Sequence, residues 1–260
     1  MRQAAAGAKD ESLKKQAGVL GVRCAMAMDD RGGATEFLQL LQQNFPRDPD
    51  VLYVVVHAYS DLSTRAAQDL SRFAPRSVPA LELNAEALEI QGKWDDAQKE
   101  YEQILQQDPK RKGIHYRMGR VLLSNPKAGA NAAEQAKAEF EKELEIDPNN
   151  AGAYYVLGEM AKQDSRWEEA AAHFSKAAQL DAGFGDAFLG WGFCLVNERK
   201  YEDAIAPLER AVRLQPGNPS AHYNLAVALS RSGKKEEAEK EYAIQRQLIQ
   251  QGAAKQVQNE

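Results

Sequence analysis

Side chains that transfer protons, hold metals or attack carbonyls are scattered thinly here, and their grouping decides what they can do. The four histidines, His57, His115, His173 and His222, stand singly along the chain. A metal site needs imidazoles converging with carboxylates, and this spacing separates them. Acid pairs recur as Glu168-Glu169, Glu202-Asp203 and Glu236-Glu237. Each sits where a helix is expected to begin, and the positive end of the macrodipole accounts for it without acid–base catalysis. The chain contains no GxxxxGK[ST] loop, GxSxG elbow, HExxH or CxxC. Gly183-Phe184-Gly185 is a bare GxG with no strand before it, so it does not read as a dinucleotide loop. Cys24 and Cys194 provide no disulfide framework and read as small core fillers. The expectation is a protein that is not an enzyme, with no catalytic, cofactor-binding or metal-ligating residues and no cofactor.

A net charge of -5 leaves no clustered basic surface, so nucleic acid is not an expected partner. The apolar run Val51 to Val56 is far short of the roughly 20 residues that a membrane-spanning helix needs. Residues 1–30 lack the apolar centre of a signal peptide. A soluble protein is expected, cytoplasmic, or periplasmic or secreted if a signal has been removed.

The organisation emerges from arithmetic. Ala136, Ala170, Ala204 and Ala238 follow one another at a step of 34 residues. Phe140, Phe174, Leu208 and Tyr242 keep the same step, as do Ile146, Leu180, Leu214 and Leu248. Within each unit an aromatic precedes a Leu-Gly or its equivalent: Tyr154 with Leu157-Gly158, Phe188 with Trp191-Gly192, His222 with Leu225-Ala226. Trp94 and Trp167 lie 73 residues apart, five more than two repeat lengths, so five residues are inserted between them. Ser124 to Asn131, rich in turn formers, is the place for that insertion. It reads as a lengthened loop that contacts a partner or has merely drifted.

The segment Ala153 to Asp181 resembles the tetratricopeptide repeat almost end to end, in the style of bacterial members. The resemblance implies an all-α fold, a right-handed superhelical solenoid of antiparallel helix pairs. Five units are expected, at 78–111, 112–150 with the insertion, 151–184, 185–218 and 219–251. Residues 1–77 should form two irregular helix pairs, one over about 10–45 and one from Asp50 to Pro75. Residues 252–260 form a polar tail, and Gln245 to Gln256 serve partly as a cap helix.

Short helices of 12–14 residues are marginal alone, so stacking must supply the core. The small column Ala85, Gly119, Gly158, Gly192 and Ala226 should let the first helix of each unit approach Ala97, Ala136, Ala170, Ala204 and Ala238 on the second. Asn149, Asn150 and Asn218 are candidate caps. Gly92 and Gly233 suit turns with positive φ. Pro207, two turns into a second helix, should produce a kink or lie on the convex surface.

In the family the resemblance points to, the first helices line a concave groove that holds peptides. Carried onto this register, the inner face begins with Glu82, Glu86 and Glu89. It continues through Tyr116, Arg117 and Arg120, then Tyr155, Glu159 and Lys162. Leu189, Phe193 and Asn197 come next, followed by Tyr223, Asn224 and Val227. The aromatic row Tyr116, Tyr155, Phe193 and Tyr223 either faces a ligand or packs between helices. Arg117, Arg120 and Asn224 supply only fragments of the set that grips a peptide's terminal carboxylate. The expected function is a protein–protein interaction scaffold with a protein or peptide partner. The alternative is a regulatory or targeting module of a longer multidomain protein. Self-association through the open ends of the stack is a further expectation.

Overall fold

The computed structural model describes residues 10–257, with side chains described as far as residue 253. These residues form thirteen helices and no strand. In chain order they are α1 (Glu11–Ala27), α2 (Arg31–Asn44), α3 (Pro49–Phe73), α4 (Val78–Ile90), α5 (Trp94–Gln107), α6 (Ile114–Ser124) and α7 (Ala132–Ile146). The remainder are α8 (Ala151–Gln163), α9 (Trp167–Leu180), α10 (Gly185–Asn197), α11 (Tyr201–Leu214), α12 (Pro219–Arg231) and α13 (Lys235–Val257). Residues up to Leu83 form one compact unit and residues from Asn84 onward a second.

In the first unit α1 and α2 pair, and α3 packs on both. Val22, Phe37, Leu38, Leu41, Val51 and Val55 form its core. The segment expected to hold a second helix pair is instead the single 25-residue helix α3. It starts at an Asp48 cap with Pro49 in its first turn and ends at Ala74, before Pro75. No Gly or Pro falls inside to place a turn. The polar stretch in its middle is accommodated within the helix, where Arg65 pairs with Asp61 one turn back at 3.0 Å.

In the second unit each helix packs on the next in sequence from α5 to α13, and α10 also touches α8 and α12. This is the solenoid order of stacked helix pairs. The small column is present, but it meets different partners from those expected. A Cβ at Gly119 would lie 2.7 Å from the Phe140 ring, at Gly158 2.9 Å from Phe174, and at Gly192 2.4 Å from Leu208. The glycines therefore admit the large residues of the second helices, and the alanine column is buried elsewhere in the same cores. The reason is volume: a ring needs the gap that a missing side chain leaves.

The turns inside the units use the left-handed region. Gly92 and Gly233 have φ of 69° and 85°, and Ser165 and Arg199 hold the matching turns at 57° and 62°. Asn150 and Asn218 cap α8 and α12, whereas the Asn149 amide donates to Asp147 within a turn. Helix α6 has a glycine at its cap, and its N-terminus is satisfied from another helix. Glu143 of α7, fully buried, accepts from the Gly113 amide at 2.7 Å, from the Asn150 side chain at 3.3 Å and from the Tyr116 amide at 3.3 Å. Pro207 is buried inside α11, which runs unbroken around it, so it does not lie on an exposed convex face. The segment expected as a tail continues α13 as far as Val257; residues 258–260 lie outside the described residues.

Two stability measurements follow. Gly158→Leu should cost about 1–3 kcal/mol by driving a side chain into the Phe174 ring, read as a lowered denaturant midpoint. Glu143→Ala should cost a similar ~1–3 kcal/mol by leaving buried amide donors unpaired. Glu145→Ala, exposed on the same helix, should stay within about 0.5 kcal/mol in the same assay.

Candidate partner-binding cleft

The first helices α8, α10 and α12 lie side by side and enclose a cleft of about 310 Å³. Tyr155, Glu159 and Lys162 reach it from α8, spaced by one turn. Asp186, Leu189, Gly190 and Phe193 reach it from α10, and Ser220 and Asn224 from α12. Helical side chains three or four residues apart share a face, which is how three short helices present one continuous surface.

The apolar part of the cleft is anchored by packing. Tyr155 stacks near Phe174 and Phe184, with centroids 5.6 and 4.8 Å away, and Phe193 meets Trp167 edge-on at 5.9 Å. Lys162 holds Glu159 at 2.7 Å and lies over the Phe174 and Phe193 rings, 5.8 and 5.9 Å from their centroids. Burial, then the charges of Glu159 and Asp186, push the Tyr155 phenol up to about 12. Beneath this surface burial pushes the Cys194 thiol up to about 12, which leaves it an inert core group.

Six of the fifteen groove positions expected from sequence meet here: Tyr155, Glu159, Lys162, Leu189, Phe193 and Asn224. The others do not line this cleft. The Tyr116 ring lies 5.8 Å from Phe140, and a Cβ at Gly152 would lie 2.9 Å from its hydroxyl, so it fills a seam between helices. Arg117 pairs with Glu86 at 2.7 Å and Glu89 at 4.0 Å, which joins three expected positions into one ionic contact. Arg120, exposed, covers the Tyr116 ring. Asn197 donates to the Phe193 carbonyl, Tyr223 faces Tyr242 at 6.1 Å, and Val227 is half-buried. The aromatic row is thus half-buried at three positions and exposed only at Tyr223.

Sequence reasoning missed Asp186, Gly190 and Ser220. Asp186 and Ser220 stand one repeat apart and one turn before Gly190 and Asn224. Extending the inner face back by a turn would have found them. The remaining expected chemistry is structural. His115 bonds Glu139 at 2.6 Å, and His222 bonds Glu241 at 2.6 Å and the Pro216 carbonyl at 3.0 Å. The acid pairs open α9, α11 and α13. No metal-holding group of His, Cys, Asp and Glu occurs among the described residues, and no described helix is long and apolar enough to cross a membrane. The inserted loop is tied back through Asn125, which donates to Asp95 at 2.7 Å beside a second, polar cleft. The first unit has a more apolar groove of its own, lined by Val19, Leu20, Tyr53 and Val54 with Lys15 and Arg23 at its rim.

Family models of the tetratricopeptide repeat match residues 83–141 and 127–183, and a TPR repeat model matches 198–233, together more than half of the chain. The chain belongs to the tetratricopeptide repeat family. Solved tetratricopeptide structures share its fold. A MamA crystal structure is 20% identical, with a TM-score of 0.56 over 65% of this chain and 96% of that one. MamA from Desulfovibrio magneticus RS-1 is 17% identical, with a TM-score of 0.56 over 67% and 96%. YrrB, described as a TPR protein with an unusual peptide-binding site, is 21% identical, with a TM-score of 0.58 over 70% and 92%. At such identities the likeness is one of fold. None of the curated proteins matches this chain in sequence. As an array of tetratricopeptide repeats the chain is a protein–protein interaction module, on a scaffold that is generally non-catalytic.

The phenol supplies a pH test. A pKa raised on folding means the fold favours the neutral form, so that contribution is complete below about pH 10 and is lost as pH rises towards 12. Tyr155→Phe should therefore flatten the fall in stability between pH 10 and 12 relative to the unaltered chain. Denaturation midpoints across that window check it.

Proposed function

We propose that this chain recruits a partner protein by seating one of its peptide segments in the cleft between α8, α10 and α12. The observation that carries the reading is the convergence of Leu189, Phe193 and Tyr155 with Lys162, Asp186, Ser220 and Asn224 in one open cleft. A few polar groups set on an apolar wall are the usual composition of a recognition site. In the repeat frame set by the 34-residue step, the cleft draws on the units 151–184, 185–218 and 219–251. Three successive units thus contribute to one site, which suits an extended segment better than a compact small molecule. The peptide-binding site named for YrrB, on the same fold, agrees with this reading.

The cleft can be blocked without touching the core, because Ser220 is exposed and its side chain lies at the cleft wall. In affinity capture from the native cell extract, Ser220→Trp should reduce the bound partner about tenfold or more, the loss expected when an anchor pocket is filled. Lys176→Trp, exposed on α9, should leave capture unchanged. Equal retention by both variants would remove the cleft reading and leave the fold untouched.

A further inference from the structure

The cleft's charges do not balance. Building on the cleft reading above, we propose that the preferred segment carries a basic side chain, Lys or Arg, next to an apolar residue. Glu159 from α8 and Asp186 from α10 both bear on the Tyr155 phenol, so two acidic groups from different helices converge on one place. Among the described residues Glu159 has a cation beside it, Lys162 at 2.7 Å, and Asp186 has none. Asp186 accepts from the neutral Gln215 amide at 2.8 Å. One formal negative charge is therefore left over in a cleft whose remaining lining is neutral.

Asn224 offers an amide at the same place. It is only 8% exposed, and its Nδ2 donates to the Ser220 carbonyl at 2.8 Å. A peptide N–H laid along α12 is placed to donate to its Oδ1. With the backbone held there, a basic side chain reaches Asp186 and the faces of Tyr155 and Phe193, while its apolar neighbour rests on Leu189. An acidic side chain would face Asp186 with like charge and would have to draw Lys162 away from Glu159.

The test is to pan a library of octapeptides, random at every position, on the full chain at low salt and to sequence the bound pool. Lys and Arg should be enriched about fivefold at one position beside an apolar one, a gain typical of a single charge pair. Asp186→Asn keeps an oxygen for Gln215 and lies on the surface; it should bring that enrichment to background and retain the apolar preference. Enrichment of Asp or Glu, or a basic preference that survives Asp186→Asn, overturns the inference. If Ser220→Trp abolishes panning, the cleft reading stands even when the basic preference fails. Panning that is indifferent to Ser220→Trp overturns both.

Discussion

The second unit depends on one recurring contact, a large side chain on a second helix entering a space where a first helix has no side chain. Phe174 shows how much it sets. A Cβ at Gly158 of α8 or at Gly190 of α10 would lie 2.9 Å from its ring, so the same ring fixes the spacing inside one helix pair and to the next. Interiors packed at crystal-like density do not tolerate an extra methyl at such a crossing. Phe140 on Gly119 and Leu208 on Gly192 repeat the arrangement. Without it each helix would be a short amphipathic segment, marginal in water.

The cleft is a by-product of that packing. Because Phe174 draws α8 and α10 together from behind, Tyr155 and Lys162 are held against rings rather than left to rotate in solvent. The largest side chains of the aromatic row are partly consumed between helices. The remaining wall is made of smaller groups: Leu189, the bare backbone of Gly190, Ser220 and the amide of Asn224. Of the polar groups there, Asn224 is buried while Ser220 and Asp186 are exposed, so the wall offers both a sheltered amide and a solvent-facing charge.

Much of the repeat frame could be read from residues 78 onward, because the columns at a step of 34 impose size and polarity together. The first unit was less legible. The polar stretch within Asp50 to Pro75 reads as a break between two helices, but it holds no Gly or Pro to make a turn, and α3 runs through it with the Asp61–Arg65 pair on its surface. Six of the expected groove positions lie in the cleft and the rest do not. A register shows which face a residue occupies, but not whether a neighbouring ring such as Tyr116 has already filled it. Glu143 was invisible as a cap for the same reason. Its partners, the amides of Gly113 and Tyr116, lie about thirty residues away in sequence.

Two kinds of information are separable here. Periodicity along the chain determined the helices, the pairing order and the positions that must be small, because these follow from repeating side-chain size and from turn chemistry local to each unit. The tertiary structure alone decided which small positions meet which rings, which aromatics are packed, and where charge is left unmatched. Those outcomes depend on distances between helices, and such distances are set by volumes summed over several units at once.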